Sequence, residues 1–117
     1  MVDDNDDGRE MLAYLLTAEG HTVAQAPDGR TALDTAAAFH PDVVILDIGM
    51  PGMSGYEVAQ KMRDSHDLSS VVLVALSGLG QREDKEHAAQ VGFDRHFTKP
   101  VDLNSLRAFL AATGAQR

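Results

Sequence analysis

Residues 43–55 read VVILDIGMPGMSG, and this stretch decides the fold. It begins with four consecutive aliphatic residues, Val43 to Leu46, and changes at Asp47 to a loop rich in glycine and proline. An apolar run without alternation is typical of a strand that is buried on both faces of a parallel sheet. Asp47 would then lie at the carboxyl end of that strand, where α/β sheets bind their ligands, although an aspartate there can also simply cap a turn.

The segments on either side of this strand alternate between helical and extended patterns. The patterns predict helices at 9–19, 29–39, 56–62, 81–91 and 103–110, and strands at 21–26, 43–46, 71–76 and 93–98. Strict alternation with helix-length connections predicts right-handed parallel crossovers. We therefore expect one three-layer α/β domain over residues 1–117, with helices on both sides of a parallel sheet.

Composition restricts the possible functions. The chain has 117 residues, a net charge of −8 and no cysteine. The acidic balance argues against a nucleic-acid-binding surface, and the missing cysteines exclude disulfides and thiolate metal sites. No stretch approaches the ~18 apolar residues of a membrane span, and the acidic start MVDDNDDGRE is unlike a secretory signal. We therefore expect a cytoplasmic domain that binds neither nucleic acid nor membrane.

Several reactive side chains are expected to meet at one edge of the predicted sheet. Asp3 and Asp4 precede the first helix, whereas Asp47, Ser77 and Lys99 each follow a strand. Because the carboxyl ends of parallel strands share one rim, these side chains can converge. Carboxylates that lie close together raise one another's pKa unless a hard cation such as Mg²⁺ is present. With the metal bound, Asp47 could attack phosphorus, with Ser77 as a hydroxyl donor and Lys99 as a point charge.

Four short motifs resemble the receiver domains of two-component response regulators. They are VDDN at 2–5, ILDIGMPGMSG at 45–55, ALSG at 75–78 and FTKP at 97–100, in the order and spacing of that family. The resemblance implies a flavodoxin-like fold with the strand order 2-1-3-4-5. It also implies a role in a His-Asp phosphorelay, in which a histidine kinase or a histidine phosphotransfer protein supplies the phosphoryl group.

The resemblance implies a role for each matching position of the site. Asp47 would be the phosphoacceptor, and Lys99 would be the phosphate-binding lysine. Asp4 would bind Mg²⁺ directly, with Asp3 as its partner. The backbone carbonyl of Gly49 would be a further ligand of the metal.

The resemblance also implies a switch. Ser77 occupies the position of the switch residue, and His96 stands where the family more commonly has tyrosine or phenylalanine. Phosphorylation would pull Ser77 inward and reshape a partner-binding face. That face would be built from the helix predicted at 81–91, the last strand and the last helix.

The first strand departs from the family pattern. Receiver domains have a run of apolar residues before the acidic pair, but here only Met1 and Val2 precede Asp3. Losing four buried aliphatic side chains at ~1.5–3 kcal/mol each would cost ~6–12 kcal/mol. This loss is comparable to the ~5–15 kcal/mol stability of a whole domain. We therefore expect either a truncated and poorly stable first strand or compensation by a homodimer or strand exchange.

Three other functions match parts of the sequence. Residues 3–8, DDNDDG, match the first half of an EF-hand calcium loop, but the last position of that loop is Tyr14 rather than glutamate. A degenerate receiver that serves only as a protein-interaction module stays open as an alternative. An aspartate-dependent phosphatase needs a second carboxylate two residues after its nucleophile, where this chain has Gly49, so we do not expect an enzyme.

Overall fold

The computed structural model describes residues 1–50, 52–66, 68–78, 92–99 and 101–113. The elements, in chain order, are α1 (Asp6–Ala18), α2 (Gly29–Phe39), β1 (Val43–Asp47), α3 (Gly55–Asp64), β2 (Val72–Ser77), β3 (Arg95–Thr98) and α4 (Leu103–Thr113). The helix predicted at 81–91 lies outside the described residues. Among the helices that the described ranges form, none is long and apolar enough to cross a membrane.

The strands β1, β2 and β3 form a parallel sheet in that order. The register aligns Asp47 of β1 with Leu76 of β2, and Ser77 of β2 with Thr98 of β3. All three strands therefore end at the same rim of the sheet. Lys99 follows β3 at this rim, so the parallel topology places the polar residues that end the strands side by side.

β1 is buried on both faces, as its continuous apolar sequence predicted. Val44 and Leu46 pack in a cluster with residues of α2 and α3, whereas Ile45 packs in a second cluster with residues of α1 and α4. Successive side chains of a strand point to opposite faces, so one apolar strand contributes to both clusters. The helices thus cover both faces of the sheet, which is the predicted three-layer arrangement.

The first strand of the fold is reduced to a single paired residue. Val2 forms parallel bridges to Ala26 on one side and to Leu46 of β1 on the other. Its amide donates to the Ile45 carbonyl at 2.8 Å, and its carbonyl accepts from the Asp47 amide at 2.8 Å. If the segment that ends at Ala26 and the residue Val2 are counted as the second and first strands of the fold, then β1, β2 and β3 are its third, fourth and fifth strands. The order across the sheet is then the flavodoxin-like order 2-1-3-4-5. The truncated first strand is therefore confirmed, and what remains of it lies in the central position.

The strand predicted at 21–26 is wrong. In this segment Ala26 forms a bridge, and the preceding residues are not strand. The sequence HTVAQA has no continuous apolar run, and the chain beside it is only Met1–Asp3. Few hydrogen bonds join these two stretches. The Met1 amino group donates to the Ala24 carbonyl at 3.0 Å, and the Ala26 amide donates to the Met1 carbonyl at 3.0 Å. A strand needs a neighbour along its whole length, and the described residues supply one only at its end.

Polar side chains fix the points at which the first three helices begin. Asn5, Asp28 and Ser54 are the N-caps of α1, α2 and α3, and each side-chain oxygen accepts a hydrogen bond from an amide of the first turn. α1 begins at Asp6, so the second half of the segment that matched an EF-hand loop is helical, and the helix continues past Tyr14, where the loop would end. The calcium-loop interpretation is therefore wrong.

Gly55 allows α3 to pack tightly against the chain that follows β1. A Cβ atom at this position would lie 2.6 Å from the Ile48 Cα and 2.8 Å from the Asp47 carbonyl oxygen. Only a residue without a side chain permits this approach. The start of α3 therefore supports the backbone at Asp47 from one side.

Candidate functional site

Charged side chains from both ends of the chain meet at the carboxyl rim of the sheet. Asp3 directly follows Val2, Asp47 ends β1, and Lys99 directly follows β3. The Lys99 Nζ donates to Asp3 Oδ2 at 2.7 Å and to Asp47 Oδ2 at 3.1 Å. One ammonium group thus joins two carboxylates, although Asp3 and Lys99 are 96 positions apart in the sequence.

Asp4 adds a third carboxylate to this cluster. One carboxylate oxygen from each of Asp3, Asp4 and Asp47 lies within 4.8 Å of the others. Asp3 and Asp47 are buried, with 3% and 6% of their surface exposed, whereas Asp4 is exposed. Three carboxylate side chains lie beside one ammonium group, that of Lys99, and hard oxygen ligands of this kind suit Mg²⁺. The donor set therefore fits a divalent cation that enters from the solvent side at Asp4.

The backbone around Asp47 fixes the orientation of its carboxylate. The Gly49 amide donates to Asp47 Oδ1 at 2.9 Å, while the other oxygen accepts from Lys99. The Ile48 amide donates to the Leu76 carbonyl of β2 at 2.9 Å, which continues the sheet pairing past the end of β1. The participation of the Gly49 carbonyl in metal binding stays a prediction.

Burial and neighbouring charges set the protonation of the cluster. Burial raises the pKa of Asp47, and the adjacent Asp3 raises it further, which outweighs the hydrogen bonds from Gly49 and Lys99. Burial also acts to raise the pKa of Asp3, but hydrogen bonds from Lys99 and the Asn5 amide outweigh it, so this pKa is lowered. Burial acts to lower the pKa of Lys99, but its two carboxylate partners raise it overall. Asp3 is therefore the more acidic member of the pair, and Lys99 stays charged.

Arg9 supports the site, and the sequence analysis did not identify it. It is 8% exposed, and its guanidinium donates to the Asp3 carbonyl at 2.8 Å and pairs with the Asp6 carboxylate at 2.7 Å. It also donates to the Gln25 side chain at 3.2 Å. Arg9 thus ties the backbone of Asp3 to α1. The sequence offered one sign of this role, a single arginine inside an acidic run, but not the direction of its side chain.

Ser77 lies at the same rim, and its hydroxyl contacts His96. Ser77 Oγ is 2.8 Å from His96 Nε2. Ser77 is 1% exposed, and His96 is half-buried on the neighbouring strand β3. The Lys99 amide also donates to the Ser77 carbonyl at 2.7 Å, which links the ends of β2 and β3. The structure thus places the two predicted switch residues in direct contact, while their role in a switch stays a prediction.

The flavodoxin-like sheet and the lysine-bridged cluster of carboxylates at its carboxyl rim define a class of α/β domain. Within this class, the chain belongs to the response regulator receiver domain family, which matches residues 1–111. The resemblance stated from the four motifs is therefore confirmed. Response regulators act in two-component signalling, so this chain is a receiver domain of such a system.

Individual relatives agree with this assignment. The response regulator PleD of Caulobacter vibrioides is 37% identical over 102 residues, which are 87% of this chain and 22% of PleD. The polar-differentiation response regulator DivK of Brucella ovis is 29% identical over 88% of this chain and 84% of DivK. The chain thus spans about a fifth of the length of PleD but most of the length of DivK.

Solved structures agree as well. The chemotaxis protein CheY4 of Vibrio cholerae is 30% identical, with a TM-score of 0.88, over 96% of this chain and 93% of that chain. The signal receiver domain of a DNA binding response regulator (merR) from Colwellia psychrerythraea has a TM-score of 0.89 at 21% identity, over 98% of this chain and 95% of that chain. The second similarity shows the fold alone.

Proposed function

We propose that this chain accepts a phosphoryl group on Asp47 from the phosphohistidine of a histidine kinase or a histidine phosphotransfer protein, with Mg²⁺ as the cofactor. The main support is the Lys99 ammonium, which lies 2.7 Å from a carboxylate oxygen of Asp3 and 3.1 Å from one of Asp47. The family implies a phosphodonor partner of this kind. A module that only binds proteins has no need of two buried carboxylates, which are costly to bury unless they are paired.

The proposed reaction transfers phosphorus from nitrogen to oxygen. A carboxylate oxygen of Asp47 forms a bond to phosphorus while the bond between phosphorus and the donor histidine nitrogen breaks. The electron pair of the broken bond stays on the donor imidazole, which takes up a proton from water. The product on Asp47 is an acyl phosphate. Lys99 favours the ionised form of Asp47, which is the form that attacks, and can donate to a phosphoryl oxygen.

We assign the Mg²⁺ site to the carboxylates of Asp3, Asp4 and Asp47, together with the backbone carbonyl of Gly49. When bound, Mg²⁺ would offset the charge of the phosphoryl oxygens in the transition state. The closeness of the three carboxylates supports this assignment. The exposed Asp4 leaves one side of the site open, so a phosphodonor can approach from solvent.

Ser77 and His96 would couple the site to a partner-binding face. Before phosphorylation the Ser77 hydroxyl contacts His96 at 2.8 Å. An acyl phosphate on Asp47 would attract this hydroxyl as a donor, and His96 would then exchange one hydrogen-bond partner for another. The face that responds would include β3, α4 and the segment 81–91, where a helix is predicted.

We propose further that residues 1–117 form one receiver domain that works in the cytoplasm. The chain would be a phosphoacceptor rather than an enzyme that turns over an outside substrate. Gly49 supports this view, because an aspartate-dependent phosphatase needs a carboxylate at that position.

Labelling with phosphoramidate and Mg²⁺ tests the proposal. This compound has the same bond between phosphorus and nitrogen as phosphohistidine, so it can donate without a partner protein. Intact mass spectrometry should show a gain of one phosphoryl group in the natural chain. Asp47→Asn should show none, because the amide has a similar shape but no nucleophilic oxygen. Removal of Mg²⁺ with EDTA should also prevent labelling.

Asp7→Asn is the matched control for the loss of one negative charge. Asp7 is exposed in the first turn of α1 and does not belong to the carboxylate cluster. It should be labelled as readily as the natural chain. Equal labelling of Asp47→Asn would contradict the assignment, and a folded chain that takes no phosphoryl group but binds a kinase would favour the interaction-only module.

A further inference from the structure

Arg9 contacts the peptide group that joins Asp3 to Asp4. Its guanidinium donates to the Asp3 carbonyl at 2.8 Å, and this hydrogen bond is buried. A peptide group is planar, so the Asp3 carbonyl and the Asp4 amide can only turn together. A donor that holds the carbonyl therefore fixes the plane from which the Cα atom and the side chain of Asp4 project.

Asp3 has contacts of its own, whereas Asp4 depends on the main chain around it. The Asp3 amide donates to the Ala26 carbonyl at 3.2 Å. The Asp3 carboxylate accepts from the Asn5 amide at 3.0 Å and from Lys99 at 2.7 Å. Asp4 is exposed, and no residue in the described ranges forms a hydrogen bond or an ion pair with its carboxylate. The peptide groups on both sides of Asp4 are thus held, the first by Arg9 and the second by the Asp3 carboxylate.

Arg9 is itself held from several sides. It is 8% exposed, and its guanidinium pairs with the Asp6 carboxylate at 2.7 Å and donates to the Gln25 side chain at 3.2 Å. Asp6 belongs to α1, and Gln25 belongs to the segment 21–26, so the guanidinium is fixed between two parts of the fold. A donor that is fixed in this way can restrict the peptide plane, whereas a mobile donor would follow it.

Electrostatics alone does not explain an arginine at this position. Arg9 is the fourth residue of α1, and the amino end of a helix carries a partial positive charge. A positive charge beside the carboxylate cluster also opposes the binding of a cation there. The carboxylates of Asp6 and Glu10, at 2.7 Å and 3.8 Å from the guanidinium, reduce both costs. The bond to the Asp3 carbonyl gives a reason why the charge lies here.

We propose that Arg9 is a positioning residue for Mg²⁺ binding, because it holds the Asp4 carboxylate in its binding orientation through the Asp3–Asp4 peptide plane. This role rests on the proposed Mg²⁺ site, which Asp3 and Asp4 form with Asp47. Arg9 acts on the cation only through Asp4. A ligand that is already oriented loses less conformational freedom when the cation binds, so the affinity for the cation is higher.

Arg9→Met separates positioning from charge. Methionine keeps an unbranched side chain but has neither the positive charge nor the donors. By charge alone, its introduction should strengthen Mg²⁺ binding, because a like charge is removed from beside the site. If Arg9 positions Asp4, the variant should instead bind Mg²⁺ at least about fivefold more weakly. Titration with MgCl₂, followed by amide chemical shifts in two-dimensional NMR spectra, gives the dissociation constant and shows whether the variant is folded.

Arg30→Met is the matched control for the loss of one positive charge. Arg30 is exposed in the first turn of α2 rather than buried beside Asp3. Solvent and salt screen a charge at such a position. Its loss should therefore change the Mg²⁺ affinity less than about twofold.

A second pair of variants tests the role in a chain that retains Arg9. Asp6 and Asp7 are adjacent, exposed residues in the first turn of α1, but the ion pair with Arg9 belongs to Asp6. Asp6→Ala and Asp7→Ala lose the same charge from the same end of the helix. In about 1 M KCl the Debye length is about 3 Å, so the general effect of that charge is screened. Asp6→Ala should still bind Mg²⁺ at least about twofold more weakly than Asp7→Ala, because Arg9 loses an anchor.

Three results would overturn the role of Arg9. One is unchanged or tighter Mg²⁺ binding by a folded Arg9→Met variant, and another is an equal loss of affinity in Arg30→Met. The third is equal affinity of Asp6→Ala and Asp7→Ala, which decides the matter if Arg9→Met does not fold. A natural chain that binds no Mg²⁺ would overturn the proposed metal site and the role of Arg9 with it. Because the titrations use no phosphodonor, their outcome is separate from the labelling of Asp47.

Discussion

The two halves of the sheet differ in how much paired main chain holds them together. From β1 through β2 to β3, parallel ladders join five residue pairs and then four. On the other side of β1, the pairing that the described residues show is the bridge of Val2 to each of its two neighbours. The candidate site draws on both halves. Asp47 and Lys99 belong to the half that the ladders of β1, β2 and β3 hold together, which we call the paired half. Asp3 belongs to the half that contains Val2 and Ala26, which we call the sparse half.

This contrast indicates that the charges of the site also help to hold the sparse half in place. Lys99 joins Asp3 to the paired half, and the side chains of the two are 31% and 4% exposed. An exposed ion pair contributes only about 0–1 kcal/mol, whereas removal of one partner of a buried pair costs more. Arg9 adds a bond to the Asp3 carbonyl from α1. Lys99 and Arg9 therefore hold Asp3 in place where the main chain beside it has few partners.

A change in the core of the paired half should have the largest effect on stability. Leu73 lies in β2 and is 0% exposed. Leu73→Ala removes buried methyl groups and leaves a cavity, so the free energy of unfolding should fall by about 2–5 kcal/mol. Urea denaturation followed by circular dichroism measures this. A loss below about 1 kcal/mol would mean that the paired half packs less tightly than the structure shows.

The sparse half should respond to pH through the Met1 amino group. Burial, and then the charge of Arg9, lowers the pKa of this group from 8.0 to about 6. Between these values the unfolded chain binds more protons than the folded chain, so stability rises with pH. The gain from pH 6 to pH 8 should be about 2 kcal/mol, measured by urea denaturation in metal-free buffer.

An N-terminally acetylated chain is the control for this pH effect. It retains all five histidines, which titrate in the same range, but it lacks the ionisable amine. Subtraction of its profile isolates the contribution of Met1. Identical profiles for the two forms would show that the amino group is not buried in the folded chain.

Two valines allow a direct comparison of the halves. Val2 and Val44 are each 4% exposed, but Val2 belongs to the sparse half and precedes Asp3. Val2→Ala and Val44→Ala should each lower stability by about 1–2 kcal/mol. Only Val2→Ala should also weaken Mg²⁺ binding, because it loosens the segment that positions Asp3. Titration calorimetry with Mg²⁺ distinguishes them, and an equal loss of Mg²⁺ affinity in both would remove the functional difference between the halves.

The contact between Ser77 and His96 should give the smallest effect. A double-mutant cycle with Ser77→Ala and His96→Phe isolates this hydrogen bond from the other interactions of His96. The coupling energy should be about 0.5–1.5 kcal/mol, because the two side chains meet at 2.8 Å. Thermal or urea unfolding of the four proteins measures it. A coupling near zero would indicate that the two residues do not share a hydrogen bond in solution.

The sequence predicted the paired half well because that half depends on local patterns. The continuous runs at 43–46 and 71–76 can be buried only as strands with helices on both faces, and β1 and β2 follow them within about two residues. The convergence of Asp47, Ser77 and Lys99 at one rim follows from parallel topology alone.

The sparse half was predicted less well because it depends on tertiary neighbours. The segment 21–26 would be a strand only beside a longer first strand, and no local pattern reveals the length of its neighbour. The burial of Arg9 and the contact of His96 with Ser77 depend on side-chain directions that residue spacing does not determine. The motifs indicated which residues would form the candidate site, but the groups that hold those residues in place required coordinates.

The position of the phosphoryl group is the most direct test of the proposed function. The chain is labelled with phosphoramidate and Mg²⁺, and the acyl phosphate is then reduced with borohydride, which converts the modified aspartate to homoserine. Tandem mass spectrometry of the peptides locates that homoserine. We predict that it replaces Asp47 and no other residue. Homoserine at Asp3 or Asp4, with Asp47 unmodified, would contradict the proposal.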